Sequence, residues 1–115
     1  MFEFSPQPRL KLSRLRDIGW EIWDPIGLLL AGSKWSDDAN KPFADEYDRY
    51  MTSAASQLRQ GAPLEIVIDY LVKIEAQHMG MGEGPTTKKR AEAVVSAVLA
   101  DQEIWTWPDE QGRFA

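Results

Sequence analysis

Apolar residues recur along this chain in four amphipathic blocks separated by polar or glycine-rich stretches. Leu12, Leu15, Ile18 and Ile22 lie three and four positions apart, which predicts a first helix over about residues 10–23 with one buried stripe. Gly19 falls inside it and weakens it by about 1 kcal/mol relative to alanine, so a close backbone approach is expected there. "WDPIG" then ends the helix: Pro25 disfavours the helical region for Asp24, and Asp24-Pro25-Ile26-Gly27 has the residue order of a type I turn. "AGSKWSDDANKP" reads as a loop. A second helix is expected to begin near Pro42, with Phe43, Tyr47, Tyr50, Met51, Ala54 and Leu58 on its buried face and Gly61 capping its end.

Pro63 opens a third helix, where Leu64, Val67, Ile68, Leu71 and Ile74 give the clearest amphipathic pattern. Thr86 or Thr87 caps a fourth, carrying Ala91, Val94, Val95, Val98 and Leu99. "MFEF" at the start and "EIWTWPDEQGRFA" at the end alternate briefly. They can pair as a ribbon, although two strands alone are marginal. The expected architecture is all-α: a small four-helix single domain over residues 1–115, with an irregular acidic loop between the first two helices.

Composition narrows the function classes. The chain has 115 residues, 43% hydrophobic and 27% charged, within the globular range. Its longest apolar run, "IGLLLAG", is far short of the roughly 18 residues that read as a membrane span. "MFEFSPQPRL" lacks the pattern of a secretory signal, so a cytoplasmic location is expected. Without cysteine there is no disulfide framework, thiolate metal site or cysteine nucleophile. A net charge of -5 argues against a nucleic-acid partner. The charge is unevenly distributed: +2 over residues 1–20, -2 over residues 34–49 and -3 from Asp101 onward. Such moderate blocks are usually solvated surface.

Candidate chemistry is sparse. Glu75 and His78 form Glu-x-x-His on the third helix, a spacing that builds di-metal sites when it occurs in pairs, but here there is one histidine and no second copy. "ASQ" and "VSA" lack the strained-turn signature of a nucleophilic serine. The carboxylates of "DEYD" stand where a helix start favours acids for stability. "GEGPTTKKR" fails the phosphate-loop pattern. Five tryptophans stand out. Trp20 and Trp23 are expected to flank the first helix's stripe, with Trp105 and Trp107 clamping the tail onto it. Trp35, in "SKWSDDANK", has two readings: a lid folded back on the core, or an exposed aromatic ringed by acids, the composition of an interface hot spot.

Three strings occur together in order: "WDPIG" at 23–27, "DEYDRY" at 45–50 and "YLVKIEAQHMG" at 70–80. Across roughly residues 15–82 they resemble the YugE-like family of short bacterial proteins of unknown function. The resemblance implies a helical fold and a bacterial source, and brings no catalytic residues. The insertion "LLAGSKWSDDANK" is longer than the family pattern.

These readings lead to a non-enzymatic, cofactor-free binding module, expected to cover a protein partner with Trp35, Asp37, Asp38, Asp45, Glu46 and Asp48. The most concrete form is a bacterial immunity protein masking the basic surface of a cognate toxin, for instance a contact-dependent growth inhibition nuclease. The alternative is a small metal- or phosphate-dependent enzyme centred on Glu75 and His78. The oligomeric state is left open.

Overall fold

The computed structural model describes residues 8–111 and 113. The first apolar stripe folds as α1, Leu12–Ile18, and runs on into a π-helical turn, Gly19–Trp23. Leu15 and Ile18 are buried and Ile22 packs against the core, while Leu12, at the helix start, is exposed. The π turn closes when the Asp24 N–H donates to the Gly19 carbonyl, five residues back, at 2.7 Å. Trp20 and Trp23 are both buried in the core itself, not at its flank. A Cβ on Gly19 would lie 3.2 Å from Met51 Cγ, so the position is tightly packed, but against the Met51 and Tyr47 side chains and not against the expected backbone.

That helix, α2, spans Asp48–Arg59, six residues later than Pro42 suggested. Pro42 lies instead within a 3₁₀ segment, Asp38–Phe43. One bond stands at the boundary. The Trp20 indole N–H donates to the Ala44 carbonyl at 3.1 Å, and that carbonyl is the α-helical acceptor for the Asp48 N–H. Asp48 N–H turns to Asp45 O at 3.1 Å, so the chain proceeds by tight turns until Tyr47. The aromatic face is as expected: Tyr47, Met51 and Ala54 are buried, and Phe43, Tyr50 and Leu58 pack against them. Gly61, at φ +87°, ends the element in the left-handed conformation that glycine permits.

Pro63 precedes α3, Leu64–Lys73, which also runs into a π turn, Ile74–His78. α4, Thr87–Ala100, packs along α3 and buries Ala91, Val94, Val95 and Val98. Leu99 does not join them and is 53% exposed, because one residue past Val98 the helix has turned about 100° away from the core. Thr86 makes no side-chain cap bond. The Thr87 hydroxyl, one residue inside, accepts from the Gly84 N–H at 2.9 Å and fastens the preceding loop.

The chain ends do pair. β1, Arg9–Leu10, runs antiparallel to β2, Trp105–Thr106, with Arg9 opposite Thr106 and Leu10 opposite Trp105. "MFEF" lies outside the described residues. Four bonded residues would not hold alone, but Ile104 is fully buried beside them and Leu10 and Trp105 rest on the core. Trp105 rests on the core to which Leu15 and Ile18 of the first helix belong. Trp105 and Trp107 both stack on the Arg59 guanidinium at the end of α2, with centroid distances of 5.3 and 5.8 Å. No helix among the described residues is long and apolar enough to cross a membrane.

Candidate partner-binding surface

The three strings at 23–27, 45–50 and 70–80 meet in space around Trp23. Its ring lies 5.4 Å from that of Tyr47 and 6.3 Å from that of Tyr50, and Tyr50 in turn meets His78 edge-on at 5.6 Å. Asp24 is the hinge of this assembly. It sits at φ +27°, a conformation that costs a non-glycine residue roughly 1–2 kcal/mol. Its carboxylate accepts from the N–H groups of Gly27, Leu28 and Leu29 at 3.1, 3.1 and 3.2 Å, and from the Tyr47 hydroxyl at 2.7 Å. The expected turn is present, with Gly27 N–H donating to Asp24 O at 3.1 Å. Tyr47 also accepts from the Ile26 N–H at 3.2 Å. Burial, reinforced by Asp24, pushes its phenol well above the ordinary tyrosine range.

This turn aims the loop in which Trp35 lies. Trp35 folds back: it is half-buried against the core, and its indole N–H donates to Asp17 Oδ1 at 2.8 Å. The Arg16 guanidinium stands over its ring, 5.4 Å from the centroid. The same guanidinium holds Asp48 with two bonds, of 3.0 and 2.7 Å. That pairing keeps Arg16 above its ordinary pKa range. Of the expected surface residues, Trp35 and Asp48 are therefore tied together through Arg16.

The remaining acids are placed differently. Asp37 is exposed and accepts from the Lys34 N–H at 2.9 Å, and Asp38 is exposed and pairs with Lys41 at 3.0 Å. Asp45 and Glu46 are exposed and form no ion pair among the described residues. They stand with Asp48, Arg49 and Tyr50 around an open groove of about 430 Å³. Charges on the first helix missed from the sequence matter here: Arg16 takes Asp48, and Arg14 takes Asp101 at 2.8 Å and Glu103 at 3.3 Å. The available signal was the opposite sign of the charge blocks, which are partly paired in the fold and not simply solvated.

Glu75 and His78 share the π turn but stand in different surroundings. Glu75 is 2% exposed and paired with Arg90 of α4, while His78 is exposed against Tyr50. Glu75 Oε1, Arg90 Nε and Trp23 Nε1 are buried without a hydrogen-bond partner among the described residues. No group of three histidine, aspartate or glutamate side chains among those residues is placed to hold a metal. No protein-family model, curated protein or solved structure matches the chain.

Proposed function

We propose that this chain is an acidic protein-binding module. In its most concrete form it is a bacterial immunity protein that neutralises a toxin by covering a basic surface. The observation that carries the reading is the pair Asp45 and Glu46: exposed, in no close ion pair among the described residues, and lining the groove at the start of α2. Three carboxylates beside an open groove outnumber the arginines near them and lower the potential there, which steers a cationic partner and fixes its register. Asp37 and Asp38 extend the acidic field along the loop, while Asp48, spent on Arg16, supports the surface from behind. The resemblance to the YugE-like family supplies the bacterial setting of this proposal. Enzyme chemistry at Glu75 and His78 gains no support, since Glu75 is buried against Arg90 while His78 is exposed beside Tyr50.

The test is neutralisation. The C-terminal domain encoded by the gene immediately upstream in the source genome is expressed alone and together with this chain. The proposal expects that domain to arrest growth alone and the chain to restore it, with Asp45→Lys combined with Glu46→Lys abolishing the rescue. Growth arrest that the chain does not relieve would overturn the reading.

A further inference from the structure

We propose that Arg59, Trp105 and Trp107 form a second docking patch, which takes a carboxylate side chain and its apolar neighbour from a protein partner. The patch goes beyond the acidic surface and lies at the other end of the same helix. Arg59 is the last residue of α2, whereas Asp45 and Glu46 come just before its first, Asp48. At 1.5 Å rise per residue, α2 holds its two ends about 17 Å apart.

The chain builds this patch from an extended segment and a helix end. Trp105 and Trp107 are two positions apart, with Trp105 in β2, the spacing that sets side chains on one face of an extended chain. Both rings meet the Arg59 guanidinium, at 5.3 and 5.8 Å. Trp105 is partly buried against the core and anchors the group, while Trp107 is 55% exposed. The segment is bounded by the ribbon on one side and a closed turn on the other. In that turn the Asp109 N–H donates to the Arg113 carbonyl at 2.7 Å. The Asp109 carboxylate accepts from the N–H groups of Gln111 and Arg113 at 2.8 and 2.9 Å.

Arg14, Arg16 and Arg90 each hold a carboxylate of this chain. Arg59 holds none: it is exposed, and its guanidinium has neither an ion pair nor a hydrogen-bond acceptor among the described residues. Stacking on indoles engages the delocalised cation and leaves its five N–H donors available, in the planar fork that fits a carboxylate with two bonds. A long side chain already steadied by two rings loses less freedom on binding than an unsupported one. The exposed Trp107 ring adds apolar area that excludes water from the new ion pair, and tryptophan and arginine are the residue types that dominate interface hot spots. A free phosphate would use the fork alone. The indole beside it favours a carboxylate carried next to an apolar side chain.

The probe is the peptide acetyl-Leu-Glu-amide, with acetyl-Leu-Gln-amide as neutral control and inorganic phosphate as an anion without an apolar part. The readout is the indole N–H signal of Trp107 in a nitrogen-edited proton spectrum, assigned by its loss in Trp107→Phe. The expected result is a saturable shift of that signal with the glutamate peptide alone. Arg59→Lys keeps the charge but loses the planar fork, and should weaken binding about fivefold or more. The other four indole signals report that the fold is intact in that variant. Asp45→Lys with Glu46→Lys should leave the shift unchanged, so the two surfaces fail separately. No saturable shift, an equal shift with phosphate or the glutamine peptide, or undiminished binding in Arg59→Lys would overturn the proposal.

Discussion

Replacing Asp24 with alanine should be among the most damaging single changes outside the apolar core, and the structure gives its size. The carboxylate accepts four hydrogen bonds. Two come from exposed N–H groups, Gly27 and Leu28, which water can serve after the change. The Tyr47 hydroxyl cannot be served so easily, since Tyr47 is buried. A buried donor left unpaired costs about 1–3 kcal/mol, and the part-buried Leu29 N–H adds about 0.5–1.5 kcal/mol. The φ of +27° remains a burden for alanine, which lacks the local hydrogen bonds that make it tolerable for aspartate. A loss of about 2–4 kcal/mol follows, roughly 10–20 °C in melting temperature for a domain of this size. Asp24→Asn, which keeps the shape and most acceptor capacity, should lose about 1 kcal/mol. The assay is urea unfolding of the parent, Asp24→Ala, Tyr47→Phe and the double variant. The two residues should couple by at least about 1 kcal/mol. Strictly additive losses would refute the claim that Asp24 and Tyr47 act as one unit.

Two further outcomes rest on named groups. Arg90→Leu strands Glu75 in the core and should cost about 3–5 kcal/mol, whereas Glu75→Leu with Arg90→Leu should recover most of it; unfolding curves in which the double variant is the weaker would contradict the pairing. The Tyr47 phenol is raised in the folded protein, so its contribution is complete below the ordinary tyrosine value of about 10 and declines as pH rises above it. Melting temperatures followed through that range should fall more steeply for the parent than for Tyr47→Phe.

Periodicity revealed the four helices because their buried faces follow single local rules: Leu15 and Ile18, Val67 and Leu71, Ala91 and Val95. Gly61 was legible as a helix end and Gly19 as a tight position, although side chains of Met51 and Tyr47 approach it and not a backbone. What escaped depends on partners distant in sequence. Trp20 holds the carbonyl of Ala44, 24 residues away and just ahead of α2, and Arg90 meets the buried Glu75 from 15 residues away. Both π turns are also invisible to a 3.6-residue pattern. For the candidate surface, the sequence pointed to Trp35 and its acids, and left the lid and hot-spot readings open. The structure shows Trp35 folded back, because Asp17 and Arg16 on the first helix offer its indole a hydrogen-bond acceptor and its ring a cation.

Association kinetics give the most direct test of the acidic surface as a partner-binding face. The upstream-encoded C-terminal domain is bound to the parent and to Asp45→Lys with Glu46→Lys, at low and at high salt. Steering by the exposed carboxylates predicts an on-rate that is about tenfold or more lower for the variant at low salt. It also predicts a gap that narrows at high salt. Equal on-rates with the same salt dependence in both proteins would contradict it.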